Sequence, residues 1–386
     1  MLEVKEIFNF IDCRGQSPDK RETGIPLLTA KNIKQGYINI NPKEYLDENQ
    51  YKDWIGRGTP KTGDILFTTE APLGNVAILP YYDKVVVAQR VICLSPKISC
   101  DTSYYKWYML SYIFQNELNK RATGSTALGI RSKELAIISL PYPPLPTQKR
   151  IAAILDTADL YRQKTKTLVA KYDQLAKSLF LEMFGDPVRN EKGWQYEKLN
   201  NLVTTLGDGL HGTPIYSEKG DYYFINGNNL NNGKIVVFET TKRVDESEFL
   251  KYKKVLNETT LLVSINGTLG KVAFYNGEKI ILGKSTCYFN TKKNRINSIF
   301  LYCLISNSYF LNYAAQNSTG TTIQNVSLKT MRTFPVPVPP FTLQTQFANR
   351  IQLIEAQKQQ ALAALQKSET LFNSLLQKAF KGELDS

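Results

Sequence analysis

Leu140-Pro-Tyr-Pro-Pro-Leu-Pro-Thr-Gln148 and Phe334-Pro-Val-Pro-Val-Pro-Pro-Phe-Thr-Leu-Gln344 are one punctuation mark written twice. Clustered prolines lock φ and withhold N–H donors, so each run must be a stiff, extended connector. Between them the offset is 196 residues at Pro143-Pro144/Pro339-Pro340 and Gln148/Gln344, and it persists outward in both directions. Towards the N-terminus it pairs Leu66 with Leu262, Leu73-Gly74 with Leu269-Gly270, Val76-Ala77 with Val272-Ala273, and Thr123-Gly124 with Thr319-Gly320. Towards the C-terminus it pairs Ala152 with Ala348, Leu175 with Leu371, Ser178-Leu179 with Ser374-Leu375, and Phe184 with Phe380. Asp12/Asp208 and Pro18/Pro214 keep the offset too, whereas Asn32/Asn229 and Gly36/Gly233 sit one residue away from it. A period this long excludes a solenoid, whose repeats run about 20 to 50 residues, and means a duplicated domain pair with an internal pseudo-two-fold.

After each connector the periodicity is helical. Thr147 to Phe184 contains no Pro or Gly, and Ile151, Ile154, Ala158, Tyr161, Thr165, Leu168, Tyr172, Leu175 and Leu179 alternate spacings of three and four. The copy gives Phe347, Ile351, Ile354, Lys358, Ala361, Leu365, Ser368, Phe372, Leu375 and Ala379. Heptads sustained over this length demand a partner helix, and each helix should span roughly 57 Å at 1.5 Å per residue. Because the repeat relates the two helices, pairing them antiparallel satisfies both seams.

Ahead of each connector the chain is rich in Gly, Pro, Tyr and β-branched residues. Short apolar runs such as Asp64-Ile65-Leu66-Phe67 and Lys84-Val85-Val86-Val87 read as strands between turns. Ser103 to Arg121 and its copy, Ile299 to Ala315, have helical spacing instead. The expected class is therefore α+β: two similar mixed α/β globular domains, residues 1–146 and 187–341, with long spacer helices at 147–186 and 342–386 paired antiparallel between them.

Composition is that of a folded globular protein, with 42% hydrophobic and 22% charged residues among 386. The N-terminal Met-Leu-Glu-Val-Lys-Glu lacks the basic and apolar pattern of a secretory signal, so a cytoplasmic protein is expected. Five cysteines (Cys13, Cys93, Cys100, Cys287, Cys303) show no C-x-x-C spacing, which argues for reduced thiols. The net charge of +13 is spread along the chain: residues 1–146 hold 18 basic and 15 acidic side chains, residues 191–341 hold 17 and 11. Such a balance favours a polyanion, because cations set against phosphates release condensed counterions.

No catalytic pattern survives inspection. The single histidine, His211 in Gly207-Asp-Gly-Leu-His-Gly212, reads as a surface contact. Gly283-Lys284-Ser285 mimics the end of a phosphate loop, but that motif needs glycine where Glu278 stands. Val338-Pro-Pro-Phe341 has the outline of an amino-methyltransferase motif, yet Val338 offers no side-chain carbonyl. Pro18-Asp19 is not followed by the acid-x-Lys of metal-dependent nucleases. The expectation is a chain with no catalytic residues, no bound cofactor and no metal.

These runs carry a resemblance. The chain resembles the specificity (S) subunits of type I restriction-modification systems, through Thr123-Gly-Ser-Thr126 and Ser318-Thr-Gly-Thr-Thr322 before the proline runs, and through the helix ends. Those ends are Leu175-Ala-Lys-Ser-Leu-Phe180 with Met183-Phe-Gly-Asp186, and Leu375-Leu-Gln-Lys-Ala-Phe-Lys-Gly-Glu-Leu384. The resemblance implies two target-recognition domains, each reading half of an asymmetric bipartite site in double-stranded DNA, and helices that fix the spacing. It also implies two methyltransferase subunits that dock on the helices and carry S-adenosylmethionine, with motor-nuclease subunits outside them. In the assembly it implies adenine methylation and restriction. A scaffold that joins partner proteins without reading DNA is the alternative.

Reading base edges takes Arg or Lys for guanine and Asn or Gln for adenine, on loops that reach a groove. The candidates in the first domain are Lys31, Asn32, Arg57, Gln89, Arg90, Ser125, Thr126, Arg131 and Lys133. In the second they are Asn228, Asn229, Lys271, Lys284, Ser285, Thr321, Thr322, Gln324, Asn325 and Lys329. Asn228 and Asn229 can equally be turn formers, and Gly74, Gly124, Gly270 and Gly320 are expected at positive φ.

Overall fold

Strands buried on both faces build the same four-stranded antiparallel sheet twice. The computed structural model describes residues 1–13, 18–318 and 324–384, and it divides into two compact units, Met1–Thr167 with Ala361–Ser386 and Leu168–Gln360. In the first unit the strand order is Phe8–Asp12, Val91–Pro96, Ile65–Thr68, Val76–Ile78; in the second it is Val203–Asp208, Thr286–Thr291, Thr260–Ser264, Val272–Phe274. Register matches the repeat, Leu66 opposite Ala77 and Leu262 opposite Ala273. A second, parallel pairing joins Ile25–Leu28 to Val86–Val87, and Tyr222–Ile225 to Ile280–Leu282.

The helical stretch expected over Ser103 to Arg121 is two helices, Thr102–Leu110 and Tyr112–Arg121. Ser111 breaks it: buried and extended, it donates its hydroxyl to the Tyr108 carbonyl and caps the second helix. In the copy, half-buried and extended Asn307 separates Ser298–Ile305 from Ser308–Gln316 and caps the second, its Oδ1 accepting from Tyr309 N at 2.8 Å. These helices pack on the sheets, and Gly74 and Gly270 let them approach. Both glycines have positive φ, and a Cβ there would lie 2.7 Å from Leu118 and 2.5 Å from Leu311.

The long helices are Leu145–Phe184 and Phe341–Lys381. The first begins two residues before Thr147, because Pro146 falls in the opening turn, where a missing N–H leaves no bond unmade. In the first unit the start of one helix runs beside the end of the other in the opposite chain direction. Ile151, Ala152 and Leu155 share a core with Phe372 and Ala379, and the Arg162 guanidinium lies 4.4 Å from the Phe372 ring. In the second unit the remaining halves pair: Phe180 and Phe184 pack on Phe347, and Lys358 bridges Asp173 at 2.7 Å.

The seam expected for Phe341–Lys381 is the observed one; each of its ten positions is buried or half-buried. The seam expected for Leu145–Phe184 is half right. Ala158, Thr165, Tyr172 and Leu179 face inward, but the alternate positions are Leu155, Arg162, Val169 and Ala176, and this leaves Tyr161, Leu168 and Leu175 exposed. Side-chain polarity misled the assignment: Arg162 is drawn inward by Asp159 and the Phe372 face.

Asp156 fixes the first long helix to its domain. It accepts hydrogen bonds from Lys106 Nζ (2.9 Å), Trp107 Nε1 (2.8 Å) and Ser103 Oγ (2.7 Å). Burial pushes its carboxyl up, but the hydrogen bonds from Lys106 and Ser103, the Lys106 charge and the Trp107 donor outweigh this and hold it below the ordinary aspartate value. A depressed folded-state pKa contributes stability above the unfolded value, about 3.9, that is lost as pH falls through the folded value. Asp156→Asn should therefore cost about 1 kcal/mol at pH 7, because the carboxylate is half-exposed and screened. The difference from wild type should shrink below pH 4, as read by denaturant midpoints across pH.

Among the described residues no helix is long and apolar enough to cross a membrane.

Candidate nucleic-acid interface

Four chain segments meet at one end of each sheet, and they meet through the same hydrogen bonds. In the first unit Thr69 N donates to Arg90 O (3.0 Å), Ile130 N to Thr69 O (2.9 Å) and Ala88 N to Leu28 O (2.9 Å). In the second, Ile265 N donates to Ser285 O (3.0 Å), Val326 N to Ile265 O (2.8 Å) and Gly283 N to Ile225 O (2.8 Å). The fourth segment is a tight turn after the strands ending at Leu28 and Ile225, closed by Asn32 N to Thr29 O and Asn229 N to Asn226 O, both 2.9 Å. The backbone frame is duplicated while the side chains on it differ.

That turn corrects two candidates. Asn32 is buried; its Oδ1 accepts from Thr29 N and its Nδ2 donates to the Asn39 and Pro42 carbonyls. Asn229 is buried likewise, with Oδ1 accepting from Asn226 N and Nδ2 donating to Val236 O. A buried amide whose donors and acceptors are already engaged has nothing left for a base edge. Ser285 is a third correction: its hydroxyl accepts from Gly227 N at 2.9 Å and donates to Asn226 Oδ1 at 3.0 Å. The exposed positions on the two turns are Lys31 and Asn228.

Most of the other candidates lie on segments that adjoin this platform. Gln89 and Arg90 are exposed between Val86–Val87 and Val91–Pro96, with Arg90 Nε 2.6 Å from Glu70. Ser125 and Thr126 are exposed in a loop closed by reciprocal Thr123–Gly129 backbone bonds of 2.9 Å. Arg131 precedes, and Lys133 lies on, the short helix Ser132–Ala136, whose Ser132 hydroxyl bonds Asp12. Arg57 reaches the same place, donating from Nη1 to the Asp12 carbonyl at 2.8 Å.

In the second unit Lys284 is exposed beside Ser285, and Gln324 and Asn325 are exposed where Gly267 N donates to Gln324 O. Lys329 is exposed on Leu328–Thr333. Lys271 is half-buried in the Ser264–Lys271 hairpin, off the platform's rim. Thr321, Thr322 and Gly320 lie outside the described residues.

Sequence reasoning passed over one loop on this platform, residues 209–216. Its start is tied to the Lys284 turn by Leu210 N to Leu282 O (2.7 Å) and Gly209 N to Thr286 O (3.2 Å), and exposed His211 bonds Asp208 at 2.7 Å. The signal was present: the matched pairs Asp12/Asp208 and Pro18/Pro214 bracket it at constant length.

Among the described residues no group of three or more His, Cys, Asp or Glu is placed to hold a metal ion. The arrangement can grip a polyanion through exposed cations and amides. Fold and site thus define a duplicated recognition protein.

Comparison with known proteins gives the family. The type I restriction modification DNA specificity domain matches residues 1–171 and again residues 191–367, and the chain belongs to that family. It is 25% identical to the type I restriction enzyme MjaIX specificity subunit of Methanocaldococcus jannaschii, over 93% of this chain and 87% of that one. It is 22% identical to the Escherichia coli EcoBI specificity subunit, over 100% of this chain and 85% of the other. The fold matches the crystal structure of a type I restriction-modification S subunit from M. genitalium, with a TM-score of 0.62 and 15% identity over 98% and 95% of the two chains.

Proposed function

We propose that this chain supplies the DNA address of a type I restriction-modification complex and performs no chemistry itself. Each domain reads one half of an asymmetric bipartite site in double-stranded DNA, and the long helices set the separation and phase of the halves. The observation that carries this reading is the duplicated platform: one backbone frame, two different sets of exposed side chains. Identical readers would demand a palindrome; different readers on one frame read two different words. Linking them makes the second contact intramolecular, so half-site affinities multiply through effective concentration.

The partners follow from the family to which the chain belongs. S-adenosylmethionine is brought by two methyltransferase subunits, and motor-nuclease subunits join outside them; adenine methylation and cleavage belong to the assembly. Tyr161, Leu168 and Leu175, seven residues apart on one helix, are apolar side chains left in water. They suit docking of those methyltransferase subunits, since exposed apolar surface marks interaction sites.

The test is co-expression with the neighbouring methyltransferase gene, followed by genome-wide mapping of methylated sites and binding to the mapped duplex. The expected result is one bipartite, non-palindromic motif, and affinity that falls about a thousandfold or more between 50 and 200 mM salt. Methylation without a motif, or affinity flat with salt, would favour the scaffold alternative.

A further inference from the structure

We propose that the loop 209–216 of the second domain is a base-reading element, in which Ile215 packs on a thymine methyl of that domain's half-site and Glu248 is its positioning residue. The proposal rests on the specificity-subunit reading and deepens it.

Three observations carry it. The base of the loop is laid directly on the platform: a Cβ on Gly209 would lie 2.2 Å from the Leu282 backbone and 2.4 Å from the Gly283 carbonyl, so only glycine permits the approach. The loop is then pinned again further along. Pro214 is buried, Ile215 N donates to Glu248 Oε2 at 3.0 Å, and Ser217 N donates to Arg243 O at 2.9 Å.

Glu248 is a carboxylate only 5% exposed, and its other oxygen takes Lys251 Nζ at 2.6 Å. Burying a carboxylate is unfavourable unless its bonds are all made. Here one of them is made to the backbone of a residue whose side chain stays in water, for Ile215 is 71% exposed while the neighbouring Tyr216 ring packs 5.9 Å from Phe224. A buried charge thus fixes the backbone at Ile215 while the isoleucine side chain stays in solvent. The loop lies beside the turn that carries the exposed Lys284.

On the base edges of a DNA groove the one apolar group is the C5-methyl of thymine, and a rigidly held aliphatic side chain is the complement it selects. The repeat agrees: Asp12 and Asp208, Pro18 and Pro214 keep their offset, but Cys-Arg-Gly-Gln-Ser stands between the first pair where Gly-Leu-His-Gly-Thr stands at 209–213. Conserved length with changed content is what two readers of different words require.

The experiment uses the full chain assembled with its methyltransferase partner, and duplexes carrying the mapped site with each thymine of the second half-site replaced singly by uracil. Wild type should lose about three- to tenfold in affinity at one of these positions, the contribution of one buried methyl. Ile215→Ala should bind the thymine duplex more weakly by a similar factor and no longer distinguish it from the uracil duplex. Glu248→Ala should behave like Ile215→Ala, whereas Glu248→Gln, which keeps an acceptor for Ile215 N, should retain discrimination. Uracil substitutions in the first half-site should affect wild type and variants alike.

Wild type indifferent to every thymine-to-uracil change in the second half-site, a second half-site without thymine, or an Ile215→Ala complex that still discriminates would overturn the proposal. Absence of any sequence-specific binding by wild type would instead remove the specificity-subunit reading, and this one with it.

Discussion

Exchanging residues 1–167 together with 361–386 for the corresponding segments of another family member should rewrite one half of the recognised DNA sequence and leave the other half unchanged. Affinity for the original site should fall about a thousandfold, towards the level of non-specific binding, because half of the base readout is replaced while phosphate contacts persist. Both segments have to travel. Trp107 packs on Phe372 with ring centroids 5.1 Å apart, and Tyr104 and Tyr108 pack on Phe380 at 5.5 and 5.1 Å, so the first domain's core includes the end of the second long helix. Moving residues 1–146 alone sets foreign aromatic partners against Phe372 and Phe380, and that chimera should melt earlier than the two-segment exchange. Methylation mapping checks the motif and thermal unfolding checks the packing; a motif altered in both halves would contradict independent readers.

The duplication was legible in the sequence because backbone geometry restricts substitution. Leu66 and Leu262, and Gly74 and Gly270, are fixed by sheet register and by close helix approach and recur at the 196-residue offset, while Asn32 and Asn229, fixed by turn hydrogen bonding, recur one residue from it. The reading surface was legible only in outline. Basic, amide and hydroxyl residues on loops are the candidate contacts, but polarity does not tell an exposed side chain from one engaged inside a turn. Asn32 and Asn229 were selected for the amide chemistry that reads adenine, and the same chemistry satisfies carbonyls of their own loops.

The helix seam failed for a related reason. Heptads were assigned from apolar residues, and Leu168 and Leu175 continued the pattern, yet the buried positions are held by Arg162, Val169 and Ala176. An apolar stripe facing outward and a charged residue facing inward are indistinguishable by periodicity from the reverse. Ile215 escaped notice because nothing in a sequence marks an isoleucine that stays exposed, or that Glu248, 33 positions away, pins its backbone.

Gln148→Ala and Gln344→Ala should each destabilise their own unit by about 2–4 kcal/mol, the largest loss expected from a single polar substitution in this fold. Both glutamines are fully buried in the opening turn of a long helix. Gln148 Oε1 accepts from Asp101 N at 2.9 Å and its Nε2 donates to Pro143 O at 2.8 Å. Gln344 Oε1 accepts from Asn297 N at 2.8 Å and its Nε2 donates to Pro339 O at 2.8 Å.

One amide thus joins three things: the proline connector, the helix that follows it, and the cap of the helix that packs on the sheet. Alanine leaves a backbone N–H and a C=O buried without partners and opens a cavity beside them. Glutamate keeps the acceptor but buries a carboxylate against the Pro143 carbonyl, so at pH 7 Gln148→Glu should be at least as destabilising as alanine. Each unit has its own reporters, Trp54 and Trp107 in the first and Trp194 in the second, so fluorescence of suitable Trp→Phe backgrounds can follow the two separately in denaturant. Gln148→Ala should shift the Trp107 transition more than the Trp194 transition, and Gln344→Ala the reverse. Equal shifts in both reporters from either substitution would mean that the two units unfold as one, the long helices transmitting stability from one to the other.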